Sequence, residues 1–198
     1  GEVVDGDMIM AILALDMKAR GRLKNNTVVG TIMSNLGFIR FCEANDIRFS
    51  ATKVGDRYVL EEMLLEDYVF GGEQSGHIIF KDFATTGDGQ LSAVQLLAHI
   101  HRSGKKLAEL KTVMTKYPQL IVNIRTTDAA KLAFYTDDDV RAILDEGKEK
   151  LGNRGRLVVR PSGTEPLIRI MAEGEDEAFT EAIAKQVAER IEEKLKVY

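Results

Sequence analysis

Apolar residues follow two different rhythms along this chain, and the change from one to the other divides it. Positions 8–15 (MIMAILAL) are apolar without interruption, which predicts a helix buried almost all round rather than on one stripe. Asp7 stands at the N-cap position and Gly21 at the closing position, so a helix over 8–20 is expected. The β-branched run 27–34 (TVVGTIMS) predicts an interior strand. A helix over 36–45, a short strand over 47–50 and a helix over 56–66 follow. Short strands are predicted at 68–70 and 77–80, on either side of GGEQSG. Asp88 caps a further helix, in which Leu91, Val94, Leu97 and Ile100 recur at helical spacing before Gly104. Such alternation of helix and strand predicts a layered α/β domain.

Residues 105–118 read as a short charged helix and a Tyr-Pro break, the signature of a linker. Beyond it come strand 120–125 (LIVNIR), a helix capped by Thr136 with Asp137, Asp138 and Asp139 in its first turn, and strands RLVVR and LIRIMAE. A last helix lines up Phe179, Ile183, Val187, Ile191 and Leu195 four apart. Two neighbouring strands with helices before and after predict an α+β domain. The fold class expected is therefore α/β: a three-layer α/β/α domain over 1–115, then a smaller α+β domain over 116–198 whose antiparallel sheet is covered by helices.

A net charge of −4 with no basic run argues against nucleic acid as a partner. The eight-residue apolar run is far short of the roughly 20 needed to span a bilayer, which argues against a membrane. Cys42 is the only cysteine and sits in the apolar segment LGFIRFCEA, so it reads as a small core residue in a reducing cytoplasm. An anionic ligand must then be captured by a local cluster.

Residues 160–169 (RPSGTEPLIR) form such a cluster between two strand-like runs. Gly163 allows a tight turn, Ser162 and Thr164 carry hydroxyl donors, and Arg160 and Arg169 are planar forks suited to phosphate oxygens. The loop GGEQSGH alternates Glu73, Ser75 and His77, a carboxylate, a hydroxyl and an imidazole that together suit vicinal sugar hydroxyls. KVGDRYV is a strand-to-helix turn that makes Lys53, Asp56 and Arg57 candidate substrate contacts, although Arg57 also has Glu61 one turn away. VDGDM resembles an acidic metal loop but supplies too few oxygens, and a turn with a helix cap accounts for Asp5 and Asp7. His99 and His101 face different sides of one helix and make a poor metal pair.

GGEQSGH followed by RPSGTEPLIRIMAE, with KVGDRYV before both, resembles the α-D-phosphohexomutase superfamily; the GEQSGH form is most similar to its bacterial phosphoglucosamine mutase branch. The likeness runs over essentially the whole chain and implies the C-terminal half of such an enzyme, its third and fourth domains. It implies sugar binding by Glu73, Ser75 and His77, and phosphate binding by Arg160, Ser162, Gly163 and Thr164, with Arg169 a weaker carry-over. The family's phosphoserine and its Mg²⁺ loop have no counterpart in this sequence, so no catalytic or metal residue is expected here and the chain alone should not turn over. The partners implied are a hexosamine phosphate and the missing N-terminal domains, with homodimer formation left open. A phosphoglucomutase or phosphomannomutase fragment and a stand-alone phosphosugar-binding module are the alternatives.

Overall fold

The computed structural model describes all 198 residues, in two compact units, Gly1–Lys116 and Tyr117–Tyr198. In the first unit, α1 (Gly6–Ala19) buries Met10, Ala11, Ile12, Leu13, Ala14 and Met17. Its cap differs from expectation: Asp5 accepts the Met8 amide at 3.1 Å, and Asp7 lies inside the first turn. The reason is tertiary. The Asp7 carboxylate is fully buried and accepts the Asn35 amide at 2.7 Å, at the start of the next helix.

Strand β1 (Thr27–Thr31) is buried along its whole length, because helices cover both sheet faces. α2 (Leu36–Ala44), β2 (Arg48–Thr52), α3 (Asp56–Leu65), β3 (Phe70–Gly72) and β4 (Ile78–Phe80) complete a sheet of order β2-β1-β3-β4. The first three strands are parallel, and β4 pairs antiparallel with β3. Val28, Phe70, Ile78 and Phe80 share a core with α1 and α2, while Val29 and Ile79 point the other way onto Val59 and Met63 of α3. This is the three-layer arrangement that the alternating strand residues require.

α4 (Gly89–Ser103) is capped by the Asp88 carboxylate, which accepts the Gln90 and Leu91 amides, and it ends at a left-handed Gly104. Its buried side is not the one the spacing suggests. Leu91 and Leu96 pack on the core, whereas Val94 and Leu97 are about three-fifths exposed, at 61% and 62%. His99 approaches Asp16 of α1, Nδ1 to Oδ1 3.0 Å, and Arg20 and Arg102 also bind that carboxylate. Burial raises the Asp16 pKa, but the hydrogen bonds and charges of Arg20 and His99 outweigh it and leave the group below its ordinary value. Residues 105–116 of the segment expected to be a linker belong to this unit. They contain α5 (Leu107–Leu110) and a 3-10 turn (Lys111–Val113), and they bury Leu110 and Met114.

In the second unit, β5 (Gln119–Arg125) leads to α6 (Asp128–Thr136), a helix the hydrophobic pattern does not announce, capped by Thr127. α7 (Asp138–Leu151) then starts from Asp137, whose carboxylate accepts the Asp139 and Val140 amides; the cap is Asp137, not Thr136, because Thr136 ends α6. β6 (Gly155–Pro161), β7 (Leu167–Gly174) and α8 (Glu177–Leu195) follow, and the antiparallel sheet has order β5-β7-β6. Ile124, Leu157, Ile168, Ile170 and Ala172 form one core with Val140, Ile143, Ile183, Val187 and Ile191 of the helices. Helices therefore cover one sheet face, and the alternate residues of each strand point away from them. Removing the fully buried Ile170 side chain, as alanine, would cost roughly 2–5 kcal/mol.

Candidate functional site

The central strand β7 sets the geometry of the second unit's cluster. Its register places Arg169 directly opposite Arg160 on β6 and opposite Asn123 on β5. All three side chains thus lie in one row across the sheet, on the face turned away from the helices. Two like charges directly opposite on neighbouring strands are unfavourable when nothing neutralises them. Arg169 is held on two sides, Nε donating to Asn123 Oδ1 at 3.2 Å and Nη2 to Glu165 Oε2 at 3.3 Å. The Arg160 Nε–H is buried and has no acceptor. Two rows away on the same face, the fully buried Glu173 accepts from Arg156 at 2.7 Å and from Gln119 at 2.8 Å, so that charge is matched.

The loop between β6 and β7 closes on itself. The Ser162 amide donates to the Leu167 carbonyl at 2.9 Å, and Ser162 Oγ accepts the Glu165 amide at 3.2 Å. Its hydroxyl proton stays available for donation. Thr126, just past β5, donates its amide to Pro166 at 2.9 Å and ties that strand to the loop. Gly163 and Thr164 are exposed at the tip, and their amides take no part in closing the loop. A Cβ added at Gly163 would meet no atom within 4 Å, so the space beside this backbone is open.

The first unit holds the other loop. Residues 73–77 bridge β3 and β4, closed by Glu73 N to His77 O at 3.1 Å and Gly76 N to Glu73 O at 3.0 Å. It rests on the start of α1. The Gly6 amide donates to Gln74 O at 3.0 Å, and a Cβ at Gly6 would run into the Glu73 carbonyl and lie 2.8 Å from Gln74 O and Gly76 N. Glu73 turns its carboxylate to the N-terminus of α3, where Oε1 accepts the Gly55 amide at 3.1 Å. Ser75 and His77 are exposed, with Oγ 3.2 Å from Nδ1, and Gly87 packs against the His77 side chain.

The parallel pairing of β1 with β2 and β3 therefore brings the KVGD turn beside Glu73, 18 residues further along the chain. Within that turn Arg57 donates to Glu61 at 2.8 Å, the surface pair its spacing allows. That pair is exposed, and Arg57 is raised above its ordinary pKa by the hydrogen bond to Glu61 and by its charge. Lys53 lies 5.8 Å from the centre of the Tyr58 ring, and Asp56 Oδ1 accepts the Arg57 amide at 2.8 Å. No group of three or more His, Cys, Asp or Glu side chains comes together to hold a metal ion. No helix is long and apolar enough to cross a membrane.

A lone Asn in LIVNIR carries no signal until the strand register sets Asn123 opposite Arg169. The Gly55–Glu73 contact likewise depends on strand order.

Comparison with known proteins gives a consistent result. A family model described as phosphoglucomutase/phosphomannomutase, alpha/beta/alpha domain III, matches residues 5–117, and the model of that family's C-terminal domain matches 121–190. Phosphoglucosamine mutases of Caldanaerobacter subterraneus subsp. tengcongensis and of Brevibacillus brevis are each 51% identical over 195 residues, 98% of this chain but 44% and 43% of theirs. The chain thus spans less than half the length of these relatives. A solved Aspergillus fumigatus N-acetylphosphoglucosamine mutase superposes with a TM-score of 0.80 at 19% identity, over 97% of this chain and 44% of that one. The same enzyme solved with GlcNAc-6P and magnesium gives 0.76 at 19%, with the same coverage of both chains. At such identity the likeness is one of fold.

Proposed function

Because the chain belongs to the phosphoglucomutase/phosphomannomutase family, we propose that it is the substrate-recognising part of a phosphoglucosamine mutase, which interconverts glucosamine 6-phosphate and glucosamine 1-phosphate. In this reading Arg160, Arg169, Ser162 and the amides of Gly163 and Thr164 grip the phosphate that is not being transferred. Glu73, Ser75 and His77 bind the sugar hydroxyls, and Lys53 and Asp56 flank them. The observation that carries the reading is the Arg160–Arg169 pair: two arginines stand at directly opposed positions on neighbouring strands, and one has a buried donor without an acceptor. A phosphate between them would neutralise the repulsion and accept charge-assisted hydrogen bonds. The open space beside Gly163 leaves room for its oxygens.

Phosphoryl transfer depends mainly on positioning and charge neutralisation, so grip on the distal phosphate supplies binding energy that is used at the reacting centre. The phosphorylated nucleophile and the magnesium ligands are assigned to the part of the full-length protein outside this sequence. Alone, the chain binds but does not turn over. Cys42 is buried, and burial pushes its thiol up to about 12, which leaves it protonated and unreactive.

Calorimetric titration of the chain tests this. Glucosamine 6-phosphate should bind with a Kd of about 0.1–1 mM, roughly −4 to −5.5 kcal/mol, and inorganic phosphate more weakly. Mutase turnover by the purified chain, or no binding of either ligand, would overturn the proposal.

A further inference from the structure

We propose that Asn123 is a positioning residue for the anion site and acts through Arg169; this rests on reading Arg160 and Arg169 as the phosphate-binding pair. Asn123 is exposed, on the outer strand of the sheet, and directly opposite Arg169. A neutral side chain at that place can steer a guanidinium without adding charge to an anion site. Its carbonyl accepts from Arg169 Nε, and Glu165 accepts from Nη2. Those two nitrogens form the side edge of the planar fork. Once that edge is taken, the end edge, made by one Nη1 proton and the second Nη2 proton, is left for an oxyanion.

Repulsion from Arg160 would otherwise send Arg169 to any of its other rotamers. The side chain leaves the central strand with several torsions free, and Glu165 sits on an exposed loop, so it restrains the fork weakly. Asn123 sits on a paired strand whose backbone is fixed by seven residue pairs with β7. It therefore fixes the plane of the guanidinium before the ligand arrives and removes part of the ordering cost of binding. Releasing one such side chain should weaken binding about three- to tenfold.

The test is phosphate titration of the chain and its variants, followed by the backbone amides of 162–164 in NMR spectra, with ligand-free melting measured in parallel. Asn123→Leu should bind inorganic phosphate three- to tenfold more weakly, and melt as the parent does without ligand. Asn123→Val, which also removes the acceptor and suits a strand, serves as a second removal should the leucine variant fold poorly. Asn123→Gln, which keeps a carbonyl on a longer stem, should recover part of the loss. In an Arg169→Ala background the Asn123→Leu change should have no effect. Unchanged affinity in both removal variants, or an equal loss with and without Arg169, would overturn the role of Asn123. If Arg160→Met and Arg169→Ala also left phosphate binding untouched, the reading of the pair itself would fall.

Discussion

Replacing Arg160 by methionine should move stability and ligand affinity in opposite directions. Methionine keeps most of the apolar stem and removes the guanidinium. In the ligand-free protein that change relieves a like-charge pair across two strands, a term of roughly 0.2–1 kcal/mol. It also deletes a buried N–H that has no acceptor, whose burial costs about 1–3 kcal/mol. Lost contacts of the fork offset part of this, so a net gain of the order of 1 kcal/mol is expected, equivalent to ~4–8 °C in the Tm of a domain of this size. Phosphate binding loses at least one charge-assisted hydrogen bond of about 1.5–3 kcal/mol, an affinity drop of roughly ten- to 150-fold. Circular-dichroism melting with and without phosphate reads both effects in one experiment. A fall in the ligand-free Tm would mean that Arg160 is there for structure. An unchanged phosphate-dependent shift would mean that it does not bind the anion.

Three further outcomes are expected. Glu73→Ala should weaken glucosamine 6-phosphate binding clearly more than inorganic phosphate binding, measured by calorimetry with both ligands; equal losses would contradict a sugar-specific role. Gly6→Ala drives a methyl group into the backbone of residues 73–76, so chemical denaturation should show a loss of ~1–3 kcal/mol, with sugar-phosphate affinity reduced through the displaced loop; a variant as stable as the parent would contradict that contact. The Glu146 carboxyl, held at about 2 by hydrogen bonds from Lys150 and Arg190, contributes stability that is present above its ordinary value of 4.5 and lost as pH falls towards 2. An NMR titration of its side-chain carbon should place the midpoint near 2, and a midpoint near 4.5 would show that these pairs do not form in solution.

The elements that were legible from sequence are those whose signal is local. The buried helix of α1 is announced by eight consecutive apolar residues, and α8 by a stripe four residues apart. α6 gave no such signal, since its core contacts are made by Ala130, Ala133 and Phe134, and alanines offer little hydrophobic contrast. Two caps were misplaced for related reasons. Asp5 and Asp7 are both competent caps, and only the distant Asn35 amide decides which of them turns inward; Asp137 caps α7 because α6 has already used Thr136. On α4 the spacing of Leu91, Val94, Leu97 and Ile100 was real, but core contact runs through Leu91 and Leu96, and spacing alone cannot say which side a helix buries.

The loops of the candidate site were legible as concentrations of chemistry, because Gly, Ser, Thr and Arg together are unusual in a turn. Their internal wiring was not. The opposition of Arg160 and Arg169 needs the β6–β7 register, and the place of Asn123 needs β5 to be on the other side of β7. The contact of Glu73 with Gly55 needs β3 to lie beside β1. Each of these is a fact of strand pairing over long sequence separations, which hydrophobic periodicity does not encode.

Arginine side-chain Nε–H signals and backbone amides, followed by NMR while glucosamine 6-phosphate is added to the chain, report on the anion site itself. The Nε–H signals of Arg160 and Arg169 and the amides of 162–164 should shift together along one saturation curve. Saturable binding that leaves the Arg160 and Arg169 signals unmoved would contradict the assignment of that site.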